Sequence, residues 1–343
     1  MICLMVVGQE WRYFLDLDGS INIPITMNRT YLLVAVLLAS AAVLYNLESP
    51  SAAPEASQYL AYLSRHGKPV PKGDQLQYRS KIYADFLLTM AKHNADPSQT
   101  WKMGENQFSD LTKEEFVKLY LGELAVEVRE LDEPVNIGFT EAVDWRTKGV
   151  ITKVKNQGQC GSCWAFGATA AHESYQVQFK NQPNTIDLSE QQLVDCSTGS
   201  PYENHGCNGG YGVRALEYIK DNGQTTSAEY PYTAKDGSCK IATGSFRPFG
   251  VAEGHGCEEI EQIIVRRPMA VRVDASNWSP YRSGILSICN KNVNHGVLLI
   301  GATDDFWRIK NSWGTNWGES GFIRIARGDT CAICQYASYP TVA

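Results

Sequence analysis

The sequence predicts an α+β protein whose two lobes enclose a cleft, preceded by a small helical segment. Three observations carry this. Apolar residues recur at helical steps before residue 125, and the segments around 163–180 and 208–222 also read as helices. The last hundred residues switch to short β-branched runs separated by Gly, Asn and Asp. A helical half followed by a strand-rich half places a cleft between two lobes.

The chain has 343 residues, 43% hydrophobic and 20% charged, enough for about two domains. A formal net charge of −6, with no basic run to interrupt it, gives no long-range attraction to nucleic acid or an anionic membrane. Nucleic acid is therefore not an expected partner.

Taken in order, Met27-Asn28-Arg29-Thr30 is a short basic start to the apolar stretch from Tyr31 to Leu44. That stretch is short for a membrane span and rich in small residues, and residues 39–42 offer cleavage sites. Residues 27–42 are expected to be a secretory signal peptide, and residues 1–26 an extension of the gene model, because a signal should begin its chain. Ser49 to Pro54 reads as a flexible connector. From Gln75 to Asn94, Leu76, Tyr83, Leu87, Met90 and Ala91 alternate with Arg79, Lys81 and Asp85, predicting an amphipathic helix of about five turns. A second helix is expected after Thr112, with Glu115 completing a capping box. Residues 123–138 are acidic and broken by Pro134 and Gly138, an exposed linker suited to cleavage. Four runs predict strands: Met269 to Val273, Gly296 to Ile300, Phe306 to Ile309 and Gly321 to Ile325.

The chemistry concentrates in three places. Cys163 follows a Gly-Ser turn and opens a helical run, so the positive end of the helix dipole favours its thiolate. His295, in Asn294-His295-Gly296, opens a strand and supplies an imidazole. Asn311, in Lys310-Asn311-Ser312-Trp313-Gly314, offers an amide to hold that ring, and Trp313 an indole to cover the bond. Gln157 can aim an N–H at a developing oxyanion. The competing reading makes Cys160-x-x-Cys163, or Cys331-x-x-Cys334, a redox dithiol or half of a zinc site. A thioredoxin-like βαβ context is missing, and Gln157 and Trp164 have no role in that reading. No metal and no organic cofactor is expected. Nine of the ten cysteines lie at or after Cys160, and an oxidising compartment would pair most of them.

These residues resemble the papain-like cysteine peptidases, in particular the cathepsin L-like subfamily. Cys160-Gly161-Ser162-Cys163-Trp164 carries that family's signature, with His295 and Asn311 lying 132 and 148 residues downstream of Cys163. Gly206-Cys207-Asn208-Gly209-Gly210 looks like its glycine-rich cleft wall. Gln75, Arg79, Ile82, Tyr83, Met90 and Asn94 follow the spacing of its inhibitory helix. The family has Glu, Phe and Ile where Gln75, Tyr83 and Met90 stand, and Asn at Phe86. The accompanying Gly104-x-Asn106-x-Phe108-x-Asp110 pattern fits fully.

The resemblance implies a papain-like two-lobe fold, one lobe helical and one β-barrel-like, behind a small helical prodomain. It makes 43–138 an inhibitory propeptide and 139–343 the mature peptidase domain. Disulfides Cys160–Cys207, Cys196–Cys239 and Cys289–Cys331 are implied; Cys257 and Cys334 form a fourth bridge or stay as buried thiols. Cys163, His295, Asn311 and Gln157 would be catalytic. Gly209, Gly210, Tyr211, Gly212, Arg272, Val293, Asn294, Trp313 and Tyr336 would bind substrate. Where Arg272 and Tyr336 stand, family members often have small apolar residues, which implies a shallow, partly basic pocket unless Arg272 turns out to solvent. The implied partners are protein and peptide substrates and the chain's own propeptide. The mature form would be a monomer, secreted or in a lysosome or acidic vacuole.

Overall fold

The computed structural model describes residues 2–7, 10–15, 52–122 and 142–343. The expected signal at 27–42 and the linker at 123–138 lie outside them. Near the start, β1 (Ile2–Val7) and β2 (Glu10–Leu15) pair antiparallel, Ile2 opposite Leu15.

Helix α1 (Ala52–Arg65) begins inside the stretch expected to be a flexible connector. Pro54 falls in its first turn, where no intrahelical N–H bond is required, so the helix accommodates it. Helix α2 (Asp74–Ala95) matches the expected span to within a residue at each end. Its Tyr83 packs with Tyr59, Tyr62 and Leu63 in a small separate core. Helix α3 (Lys113–Tyr120) carries the expected capping box: Thr112 accepts from the Glu115 N–H, and the Glu115 carboxylate accepts from the Thr112 N–H.

The remaining helices are α4 (Cys163–Lys180), α5 (Glu190–Cys196), α6 (Gly212–Asn222) and α7 (Cys257–Ile264). The strands are β3 (Trp101–Met103), β4 (Val143–Asp144), β5 (Gly250–Gly254), β6 (Met269–Val273), β7 (Tyr281–Leu286), β8 (His295–Ala302), β9 (Phe306–Lys310), β10 (Phe322–Ala326) and β11 (Ala337–Thr341). They form one sheet in the order β3-β7-β10-β9-β8-β6-β11-β5, with β4 on β8. The sheet is open: β3 and β5 end it and do not pair, so the barrel-like lobe is not closed.

Two apolar cores define the lobes. Trp164, Leu193, Leu216 and Ile219 fill the helical one; Met269, Val271, Leu299, Trp307, Ile309 and Ile323 fill the sheet-based one. Helix α4 lies directly on β8 because Gly167 has no side chain: a Cβ there would sit 3.2 Å from the Val297 nitrogen. A buried ionic cluster ties the lobes behind it. Lys155 Nζ donates to Glu173 and Glu190, each at 2.7 Å, and Lys310 Nζ donates to Thr152, which in turn donates to Glu173.

Four disulfides staple this frame: Cys160–Cys207, Cys196–Cys239, Cys289–Cys331 and Cys257–Cys334. The last one decides between the two alternatives left by the sequence. With Cys160 bound to Cys207, and Cys331 and Cys334 bound to Cys289 and Cys257, neither Cys-x-x-Cys pair is a local dithiol. Cys163 is outside every bridge.

Candidate active site

Cys163 is the first residue of α4 and fully buried. Its position at a helix N-terminus favours a thiolate over a thiol. Gly161 makes the turn possible, since a Cβ there would lie 2.6 Å from the Cys207 carbonyl that its own N–H reaches.

The sheet register assembles the rest. Leu298 pairs with Lys310 across β8 and β9, so continuing that ladder sets Trp313 opposite His295 and Asn311 diagonal to it. The Trp313 indole stacks on the imidazole, ring centroids 4.7 Å apart, and His295 Nε2 lies 2.8 Å from Asn311 Oδ1. That oxygen also accepts the Ser312 N–H at 2.8 Å, so it faces two donors and the ring proton must sit on Nε2. Nδ1 then holds the lone pair; it is buried and has no hydrogen-bond partner among the described residues. Burial pushes the imidazole down from 6.5 to about 4, against the opposing Asn311 bond. In this state the ring is a neutral base.

Gln157 is held just as firmly. Its Oε1 accepts from Ser312 Oγ at 2.7 Å, and its Nε2 donates to the carbonyls of Cys160 (2.8 Å) and Tyr120 (2.9 Å). The Tyr120 carbonyl belongs to the segment preceding the linker, and that segment fills the cleft. Gly122 accepts the Gly210 N–H at 3.0 Å. Both glycines are required by contact: a Cβ on Gly122 would lie 1.9 Å from the Gly161 oxygen, and one on Gly210 would lie 2.6 Å from the Trp164 ring. Farther back, Phe108 and Phe116 meet Trp313 edge-on, and Gln107 Nε2 donates to the Trp313 carbonyl at 2.7 Å. Strand β3 extends the sheet along β7, and Asn106 Nδ2 donates to the Ser279 carbonyl at 2.7 Å.

The other expected substrate residues divide. Gly212, Arg272 and Tyr336 line one narrow crevice with Trp164, Ala270 and Gly296; only about 10 Å³ of free space is left, roughly what one water needs. Arg272 is 9% exposed, its guanidinium 5.0 Å from the Tyr211 ring and 5.0 Å from the Tyr336 ring. It does not turn out to solvent. Gly209 takes a φ of 111° that favours glycine, and Val293 is buried without lining the crevice. The Asn294 side chain is committed elsewhere: its oxygen accepts the Ala275 N–H and its nitrogen donates to Ser276 Oγ, leaving only main chain for a ligand. Ser312 and Tyr120, which fix and fill the site, carried no sequence signal beyond their neighbours.

Residues 139–341 match the family described as papain family cysteine protease. The chain belongs to that family. Residues 59–116 match the cathepsin propeptide inhibitor domain, so this cysteine peptidase carries the propeptide of a zymogen. It is 42% identical over 296 residues to cathepsin L 2 of Paramecium tetraurelia, covering 83% of this chain and 92% of that one. Against procathepsin L of Mus musculus the identity is 40% over 296 residues, covering 78% and 86%. Among solved structures, procathepsin L 3 of the Tenebrio molitor larval midgut superposes with a TM-score of 0.74 at 32% identity, covering 84% of this chain and 99% of that one. A recombinant stem bromelain precursor gives the same values.

Proposed function

We propose that this papain-family protease is secreted as a zymogen and, once residues to about 138 are removed, cleaves internal peptide bonds through Cys163 and His295. The observation that carries the reading is the tautomer of His295: its Nε2–H is spent on Asn311, which leaves Nδ1 as the base for the thiol proton. With the cleft emptied and hydrated, the proton moves from sulfur to Nδ1. The thiolate adds to the scissile carbonyl carbon, and the carbonyl oxygen becomes an oxyanion held by Gln157 Nε2 and the Cys163 N–H. The imidazolium then protonates the leaving amine, giving a thioester. Water, deprotonated by Nδ1, attacks that thioester and returns the sulfur to its starting state.

The lie of the propeptide supports the donor roles. Gln157 and Gly210 already bind carbonyl oxygens of a chain lying in the cleft, as they would bind a substrate's. Among the described residues of the peptidase domain no cleft-blocking insertion is evident, which favours an endopeptidase. Four disulfides fit an oxidising route, ending in a lysosome, an acidic vacuole or the extracellular space. Substrates are proteins and peptides, and the processed enzyme acts as a monomer.

The crevice beside Arg272 accepts the side chain two positions before the cut. Its narrowness disfavours a large aromatic there, and its cation, flanked by two tyrosines, tolerates a carboxylate. A fluorogenic series bearing Phe, Leu, Val or Glu at that position tests this, and clear dominance by Phe refutes it. For the central reading, Cys163→Ala should abolish peptide cleavage with the fold unchanged by circular dichroism. Cleavage at the unmodified rate would overturn it.

A further inference from the structure

A hydrogen-bonded bridge that touches none of the reacting atoms joins the two sides of the nucleophile. The Tyr232 hydroxyl donates to the main-chain carbonyl of Gln157 at 2.7 Å and lies 2.7 Å from Ser162 Oγ. A phenol has one proton, and a carbonyl can only accept, so Ser162 must donate to the Tyr232 oxygen. The direction of the chain is fixed: Ser162 to Tyr232 to Gln157.

Both ends matter. Gln157 carries the amide aimed at the oxyanion position, and Ser162 immediately precedes Cys163. The loop between them includes Gly158, with a φ of 59°, and Gly161, residues that give the backbone freedom to drift. Ser162 also occupies the N-cap of α4, where a serine hydroxyl ordinarily accepts a first-turn N–H. Here it makes no such bond. Its hydroxyl is turned away to Tyr232, so no side-chain cap competes for the field at the start of the helix. The Tyr232 ring is in turn set by Phe166, one turn along the same helix, which it meets at 90° with centroids 4.9 Å apart. Burial raises its phenol well above the ordinary range, so the hydroxyl remains a donor throughout the working pH range of a protease.

We propose that Tyr232 is a positioning residue for peptide cleavage, its hydroxyl locking the Gln157 loop to the start of the Cys163 helix. The oxyanion donor and the sulfur are thereby held to meet one carbonyl group. This rests on the roles given above to Cys163 and Gln157. A donor displaced by about 1 Å loses up to roughly 100-fold in rate, so a loop loosened at one of several tethers should lose about tenfold.

The test uses the full chain, expressed as the precursor and then processed. Tyr232→Phe keeps the ring and its packing on Phe166 and removes only the bridge. We expect kcat to fall about tenfold with KM within about twofold, and the unfolding temperature nearly unchanged. In a Gln157→Ala background, the same substitution should have little further effect, because the donor being aimed is gone. Ser162→Ala breaks the bridge from its other end and should reproduce part of the kcat loss; it decides the matter if Tyr232→Phe does not fold. An unchanged kcat, or a loss that simply multiplies with that of Gln157→Ala, overturns the proposal. Full activity in Cys163→Ala would instead overturn the underlying assignment of the nucleophile, so the two failures are separable.

Discussion

Replacing Glu105 with Gln should loosen the propeptide at neutral pH in the way that acid loosens the unmodified chain. Glu105 accepts from Arg65 at 3.0 and 2.7 Å and from the Tyr83 hydroxyl at 2.6 Å, with His66 Nε2 at 3.1 Å. It thus clamps the end of α1 and the middle of α2 onto the loop that docks at Ser279 and Pro280. Burial acts to raise its pKa, but the Arg65, Tyr83 and His66 bonds outweigh it and bring the carboxyl from 4.5 down to about 2. A carboxyl lowered in the folded state contributes its full stabilisation above pH 4.5 and loses it as the pH falls from there toward about 2. The shift corresponds to about 3 kcal/mol. Arg65 is 52% exposed, so solvent screening reduces this to about 1–2 kcal/mol, or roughly 5- to 30-fold in an opening equilibrium. Hydrogen exchange in α2 of the Cys163→Ala precursor, corrected for intrinsic rates, reads that equilibrium without self-processing. At pH 7, Glu105→Gln should exchange about 5- to 30-fold faster, and the two profiles should converge between pH 4.5 and about 2. A difference that persists undiminished to pH 3, or no difference at pH 7, would refute the reasoning.

Gly122→Ala places a methyl group 1.9 Å from the Gly161 oxygen, so the propeptide must leave its place beside Gly210. The precursor should process faster than the unmodified chain at the same pH, and an equal or slower rate would count against a Gly122 fitted to the cleft. His295, lowered from 6.5 to about 4 by burial, makes the folded precursor less stable relative to the unfolded chain as pH falls below 6.5, a loss complete near 4. Followed by NMR in Cys163→Ala protein, the ring should titrate near 4 in the precursor and higher once active enzyme added in trans has removed the propeptide. Identical midpoints would contradict a propeptide that keeps the imidazole dry.

Much of this was legible because local rules and tertiary structure agree. The amphipathic period from Gln75 to Asn94 ends where Gly73 and Asp96 flank the observed helix, and the Thr112–Glu115 box forms as a local motif should. The spacing of Cys163, His295 and Asn311 was legible through the family resemblance, and a helix start and two neighbouring strands are what bring the three together. What stayed hidden depends on contacts between distant segments. The stretch from Ser49 to Pro54 that reads as a flexible connector runs into a helix stabilised by Tyr59 and Tyr62 against Tyr83, a cluster no local pattern announces. Strand β11 includes Pro340, which argues against a strand until its place beside β5 and β6 is known. The Asn294 amide turns to the Asp274–Ser276 loop for the same kind of reason: its partners lie about twenty residues away.

The most direct measurement treats the processed enzyme with a thiol-directed epoxide, follows residual activity, and locates the adduct by peptide mass spectrometry. One adduct per chain, on the sulfur of Cys163, should form in step with the loss of activity and form far more slowly in His295→Ala. Turnover that survives complete modification of Cys163, or inactivation by an adduct at another residue, would contradict the account.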